Sequence, residues 1–356
     1  AQWQEYLSLK YEIEEMRLYS SVAGYVITEF TDLNWECNGL LDFDRAPKAF
    51  HSAIPDVLAQ DILIPRIAHT ALFSGEVANI EVSLSVFSGR YKEIGELVWQ
   101  LEGEAPQEGR CDVDSASISY GTQMLTTLSI PIPQVSAPTK STLHLSLLAP
   151  NGEMIAHTTQ NLVMVPSALR QIGQSKTLYV PHSSDVADAL VSVGFTVTTE
   201  AIEGAIGLFT QWDSIAQTFV ESGGKGLLLV ASPEALANEN PLNLQVESRD
   251  KEGRWGDWCG GKTWLVPSVF SSLPDTRTYD FEYKAIIPDY VLLGAEADKT
   301  LAGIYIGWLR APGAFLVCQS VGAGRLVTTT FTLLSSLGTD PISGLVLADA
   351  LTLLSK

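Results

Sequence analysis

A chain of 356 residues is longer than one ordinary domain and predicts two or three, each able to bury a core. Its formal charge of −19 excludes surfaces built for nucleic acid or anionic membrane lipid, because phosphate binding needs clustered Lys and Arg. An apolar fraction of 46% is ordinary for a soluble globular protein. No apolar run approaches the roughly 18 residues of a membrane span, and no signal-peptide pattern is present. A soluble protein is expected, with the cytoplasm favoured. Cys37, Cys111, Cys259 and Cys318 are far apart and form no CxxC pair, which predicts free buried thiols rather than a zinc site or a disulfide framework. The chain opens without methionine directly on an amphipathic segment, so the expectation is a piece of a longer polypeptide.

Along residues 4–18, Tyr6, Leu9, Ile13 and Met16 recur at helical spacing, with Glu5, Lys10, Glu12 and Glu15 elsewhere on the helix. Val22-Ala23-Gly24-Tyr25-Val26-Ile27 follows as an almost unbroken apolar run, read as a strand buried on both faces. Thr28, Glu29, Thr31, Asp32, Asn34 and Glu36 come next. Helix, buried strand and then polar residues at the strand's carboxyl end is the grammar of a βα-barrel, whose active site gathers at those ends. Residues 1–60 are therefore expected to form the C-terminal end of a TIM barrel.

From Asp61 the texture changes. "GEVANIEVSLSVFSG", "STLHLSLLAP" and "QNLVMVP" alternate apolar and polar residues between turn signals, and no helical period intervenes. Residues 61–166 are expected to form an antiparallel, immunoglobulin-like β-sandwich. Residues 167–356 alternate short buried strands with helices. "KTLYV" leads into the capped helix "SSDVADALVSVG", "FTVTTE" and "AIGLFT" precede "DSIAQTFVESGG", and "KGLLLVAS" follows. That alternation predicts an open parallel sheet of flavodoxin-like build, closed by "AFLVCQSVGAGRLVTTTF" and the helix "PISGLVLADALTLL". Residues 236–312 lose the pattern and read as an irregular insertion.

The stretch "GYVITEFTDLNWECNGLLDFDRAPKAF", residues 24–50, resembles the last barrel strand and following loop of glycoside hydrolase family 2, the β-galactosidase and β-glucuronidase family. The matching residues are Gly24, Asp32, Gly39, Asp42, Arg45, Pro47 and Lys48. The last 190 residues resemble, less closely, a glutamine-amidotransferase-like accessory domain. The family resemblance implies a retaining mechanism with two carboxylates about 5 Å apart, one acid/base and one nucleophile. In the family both precede this region, and no matching "N-E" or "E-Y/F-G" motif stands upstream of Gly24. The resemblance thus implies the C-terminal part of a retaining β-glycosidase, which completes the barrel and the substrate rim. This chain alone would not hydrolyse glycosides. Implied partners are a carbohydrate substrate, the N-terminal part of the same enzyme and, in some assemblies, a second copy. No cofactor or metal is expected. The alternative is a non-catalytic carbohydrate-binding or scaffold module.

Several residues are candidates for binding sugar. Glu29, just past the apolar run, would accept hydrogen bonds from hydroxyls or hold a structural ion pair, and both readings stay open. Trp35 offers a flat ring to a sugar face or packs the loop onto the sandwich. Asp32 and Glu36 are better read as organising the loop, with Arg45 as an ion-pair partner, although Asp32 is kept as a weaker substrate contact. In "EGRWGDWCGGKTW", Trp255 and Trp258 would line a cleft and Asp257 would bind hydroxyls, although aromatic anchoring of a Gly-rich loop explains the same letters.

Other motifs argue against chemistry. The elbow position after "KGLLLVA" holds Ser232-Pro233-Glu234 where an active amidotransferase needs Cys, Cys318 reads as a core thiol, and His182 sits in a helix-entry loop. "ESGGKG" follows a helix and precedes a strand, the reverse of a phosphate-binding order, and "VGAGRL" reads as a tight turn.

Overall fold

The computed structural model describes the chain except residues 1, 35, 175, 183, 238–239, 250–260, 275–280, 308–309 and 356. It is a mixed α/β protein dominated by sheets, and it divides into two compact units. One comprises Ala1–Thr70, Gly75–Pro133 and Ser141–Leu162, the other Ala71–Ser74, Gln134–Lys140 and Val163–Lys356.

The first unit starts with helix α1 (Gln2–Leu18) and, after a long loop, the single turn α2 (Pro55–Leu58). Tyr6 and Ile13 of α1 are buried with Phe50 and Val57, as the apolar spacing predicts. Lys10 and Glu14 are buried as well, which the periodicity did not anticipate for Lys10. They pair with each other, and Arg66 reaches Glu14 at 3.3 Å and Glu15 at 2.8 Å, so these charges are inside because they are matched. The end of α1 is tied to strands. Arg17 Nε donates to Ser85 Oγ at 3.0 Å, and Thr122 Oγ1 donates to the Arg17 carbonyl at 2.7 Å.

The strands follow as β1 (Ile62–Ile67), β2 (Ala71–Phe73), β3 (Val77–Val86), β4 (Glu96–Leu101), β5 (Gln107–Asp112), β6 (Gly121–Pro131), β7 (Thr139–Leu148) and β8 (Met154–Val165). In the first unit β1-β3-β6 form one antiparallel sheet, and β8-β7-β4-β5 lie side by side in another. Alternate residues are buried, Ala78, Ile80, Val82 and Leu84 on β3 and Leu143, Leu145 and Leu147 on β7, so each sheet has an apolar face and a polar face.

In the second unit β2 pairs in parallel with the last residues of β8, Ala71 opposite Val163. Then come β9 (Thr177–Tyr179), α3 (Ser184–Ser192), β10 (Thr196–Thr198), β11 (Ile206–Phe209), α4 (Ser214–Glu221) and β12 (Lys225–Leu229). β13 (Gln245–Ser248), β14 (Gly261–Leu265), β15 (Tyr290–Leu293), β16 (Thr300–Ile306), β17 (Ala311–Val321), β18 (Gly324–Thr329) and α5 (Pro341–Ser355) complete it. The order β10-β9-β11-β12-β18 is parallel, as the alternation predicts, and β17, β15 and β13 extend it antiparallel. Leu227 and Leu229 join the core that holds α3 and α5, while Leu228 joins the core that holds α4. Helices on both faces explain why these strands read as unbroken apolar runs.

The stretch expected to be irregular, 236–312, contains β13 to β16 among its described residues. These strands are short, and register shifts between Thr300 and Gly303 break the alternation that would have revealed β16.

Candidate functional site

The loop from residue 19 to residue 50 carries the motif, and the structure differs from expectation at its start. Val22–Ile27 is not a strand among the described residues, and it is not buried on both faces: Tyr25 and Ile27 are half-buried against the core of Tyr6, Ile13, Phe50 and Val57, and the rest of the run is open. Val22 and Val26 are exposed, Val26 at 91%, as is Phe30 at 69%. A continuous apolar run becomes a buried strand only when neighbours pair with both edges and cover both faces. Here its backbone has no ladder.

Further on the loop is tightly organised. Isolated bridges join Thr31 to Leu41 and Leu41 to Pro47, and Asp32 N donates to the Leu41 carbonyl at 3.0 Å. Asp42 Oδ1 accepts from Ala46 N at 2.7 Å, closing a turn in which Arg45 takes a left-handed φ of 64°. Arg45 is exposed and does not pair with Asp32 as expected. That role belongs to Lys48, whose side chain is 1% exposed. Its Nζ lies 2.8 Å from Asp32 Oδ1 and 2.9 Å from Glu5 Oε2, and it donates to the Cys37 carbonyl at 3.1 Å.

One lysine thus joins α1, the middle of the loop and its end. Asp32 Oδ1 also accepts from Gly39 N at 2.8 Å, and a Cβ on Gly39 would fall 2.3 Å from Asp32 N. The Gly, the Asp and the Lys of the motif therefore form one structural node, and Asp32 is committed to it. The node was missed in the sequence because its partners lie 43 and 16 positions apart, beyond any local spacing rule.

Charge states follow from this burial. Desolvation raises the Glu5 carboxyl, against the pull of Lys48. Burial works to lower Lys48, yet its hydrogen bonds and charge contacts with Asp32 and Glu5 win and hold its pKa above the ordinary 10.5. A raised lysine pKa contributes stability that is complete below 10.5 and is lost as pH rises through the folded value. Calorimetric melting temperatures are therefore expected to drop above pH 10.5 by an increment that Lys48→Met lacks. Parallel alkaline profiles for the two proteins would refute the assignment.

Glu29 is half-buried, and its Oε2 is enclosed without a hydrogen-bond partner among the described residues. Its carbonyl accepts from Leu40 N at 3.2 Å, which anchors the backbone beside the node. Glu36 accepts from Asn38 Nδ2 at 3.3 Å. Trp35, Trp255, Asp257 and Trp258 lie outside the described residues. Glu29 and Asp32 thus lie in one loop, Asp32 paired within it and Glu29 Oε2 enclosed without a partner among the described residues.

In the second unit the segment after β12 carries Ser232-Pro233-Glu234 and no cysteine. Ser232 hydrogen-bonds Glu234 and, together with the Glu234 backbone, lowers its pKa. His182 Nε2 lies 3.2 Å from Asp213 Oδ2, and the other oxygen of Asp213 caps α4 by accepting from Ile215 N and Ala216 N at 2.9 Å. Cys318 is half-buried and accepts from Arg325 Nε at 3.1 Å. Cys37, outside any disulfide, is exposed and Cys111 is half-buried rather than buried as expected, and Cys259 lies outside the described residues. Among the described residues no cluster of His, Cys, Asp and Glu is arranged to hold a metal, and no helix is long and apolar enough to cross a membrane.

No family model and no curated protein matches the chain. Among solved structures it is similar over limited regions to a β-glucuronidase of Parabacteroides merdae, at 13% identity and a TM-score of 0.21, covering 30% of this chain and 13% of that one. An alkylpurine DNA glycosylase of Pseudomonas fluorescens bound to DNA with an abasic-site analogue matches at 12% identity and a TM-score of 0.22, covering 33% of this chain and 36% of the other. A sporulation control protein of Bacillus subtilis matches at 10% identity and a TM-score of 0.22, covering 38% and 56% respectively. In each of the three the match takes in less than two thirds of the neighbour's own length.

Proposed function

We propose that this chain is the C-terminal part of a retaining β-glycosidase, in which the motif loop closes a barrel and forms part of the rim of the sugar site. The observation that carries the reading is the enclosed, unpartnered Oε2 of Glu29, beside the exposed apolar side chains of Val26 and Phe30. A buried carboxylate oxygen without a donor is costly, so a donor from outside these residues is needed, and a sugar hydroxyl supplies one. Val22, Val26 and Phe30 in turn need strands beside them, which the remainder of a barrel supplies. The motif letters support the same reading, because Gly39, Asp32 and Lys48 build the node that holds Glu29 in place. The two carboxylates of the retaining pair come from the preceding part of the enzyme, and Glu29 binds substrate without attacking it. In this reading the sandwich is immunoglobulin-like, and the α/β unit is an accessory domain of amidotransferase-like build without amidotransferase activity.

The test uses the native polypeptide that contains these residues and aryl β-galactosides and β-glucuronides as substrates. The 356-residue chain alone is expected to turn over neither. In the native enzyme Glu29→Gln is expected to lower kcat/KM by roughly ten- to a hundredfold, the loss of one charge-assisted hydrogen bond, with an unchanged melting temperature. Turnover by the isolated chain, or full activity of Glu29→Gln, would overturn the proposal.

A further inference from the structure

The polar face of the β8-β7-β4-β5 sheet carries a row of side chains set by strand register. Gln100 on β4 stands opposite Glu108 on β5 on one side and opposite His144 on β7 on the other. Their sequence neighbours Leu101 and Leu143 are buried, so the row lies on the outward face. The row borders a pocket of about 680 Å³ lined by Gln100, Glu102, Pro106, Gln107, Glu108 and His144.

This is more than scattered surface polarity, because one ring in it is held from two directions. His144 Nε2–H donates to Glu102 Oε1 at 3.0 Å, and the ring stacks on His157 with centroids 5.7 Å apart and planes 30° apart. His157 in turn donates from Nδ1 to Asp56 Oδ2 at 3.0 Å, which ties the stack to α2. A chain of four side chains, Asp56, His157, His144 and Glu102, thus fixes one imidazole at the pocket wall. Among the described residues the side chains of Gln100 and Glu108 make no hydrogen bond or ion pair, so both are available to a ligand.

From this geometry we infer a non-catalytic binding site for a neutral saccharide. The donor and acceptor inventory selects the ligand. The Gln100 amide offers both donors and acceptors, the carboxylates offer acceptors, and a hydroxyl, which both donates and accepts, matches each of them. An amine or guanidinium only donates and would leave the amide N–H groups unmatched. Glu102 and Glu108 repel phosphates, sulfates and uronates. Adjacent strands bring the row's side chains to about 5 Å spacing, close enough for one ring to bridge neighbouring strands, and Pro106 supplies an apolar wall for its C–H groups. The site is separate from Glu29 and stands or falls independently of hydrolysis.

Saturation-transfer NMR on the 356-residue protein tests it, with lactose and cellobiose as probes and glucuronate and putrescine as controls. A saturable millimolar signal is expected for at least one neutral probe and for neither control. Gln100→Ala and Glu108→Gln, both exposed positions, are each expected to weaken it by roughly tenfold, the equivalent of one hydrogen bond, without lowering the melting temperature. Three results would overturn the assignment: no saturable signal for either disaccharide up to its solubility, equal binding of a control, or undiminished binding by both variants. Turnover of aryl glycosides by the native enzyme reads the Glu29 proposal separately, so either proposal can fail alone.

Discussion

Replacing Lys48 by Met is expected to cost the first unit about 3–5 kcal/mol, because it leaves the carboxylates of Asp32 and Glu5 without their shared cation. Asp32 is 9% exposed, and the Lys48 side chain is 1% exposed, so water cannot take the place of the lost partner. The two carboxylates are not equivalent. Glu5 already has a raised pKa from desolvation, so it can shed its charge by taking up a proton. Asp32, which also accepts from Gly39 N, carries most of the penalty. Urea denaturation of Lys48→Met measures the loss, and adding Asp32→Asn and Glu5→Gln is expected to recover most of it by removing the stranded charge. A loss below about 1 kcal/mol would mean that the node behaves like an exposed ion pair and does not hold the loop.

Gly324→Ala is expected to have the largest effect in the second unit. A Cβ there would lie 2.0 Å from the Val220 carbonyl oxygen and 2.3 Å from the Gly224 carbonyl oxygen. Both obstacles are backbone, so the turn after α4 and the turn between β17 and β18 would have to separate. They are joined by Ala323 N donating to Glu221 O at 3.0 Å and Arg325 N to Gly224 O at 3.2 Å. Overpacking plus the loss of these bonds is expected to cost about 3 kcal/mol or more. Hydrogen exchange should show lowered protection in β12 and β18, the parallel pair that meets at this point. Gly89→Ala, where a Cβ meets nothing within 4 Å, is the matched control and is expected to stay within about 0.5 kcal/mol. Equal stability of the two variants would show that the turns do not need their close approach. The glycines of "ESGGKG" and "VGAGRL" thus have a mechanical reason to be there, and the phosphate cradle is not needed to explain them.

How much was legible in the sequence depended on the range of the interaction. The helix over Ser214–Glu221, the strand at Lys225–Leu229 and the tight turn at Gly322 all follow from local rules. The alternating strands of the first unit were legible for the same reason, since a pleat repeats every two residues. Val22–Ile27 was misread because burial on both faces is a property of neighbours, not of letters. Arg45 is the partner that the sequence suggests for Asp32, and spacing within the motif gives no sign that Lys48 takes the place. The chain path decides, turning Arg45 outward at a left-handed φ and Lys48 inward beneath the loop.

By itself the sequence determined the classes of structure, sheets with one wet face followed by strands covered on both sides, because hydrophobic period reports how many faces are buried. It also determined that no elbow cysteine exists and that the balance of charge is acidic. Only the tertiary structure decided which charges are buried together. It placed Lys48 among Glu5, Asp32 and the Cys37 carbonyl, left Glu29 Oε2 without a donor among the described residues, and stacked His144 on His157. The physical reason is that a buried charge or an unmatched donor is defined by what folding brings within about 3 Å of it, and those atoms come from distant parts of the chain.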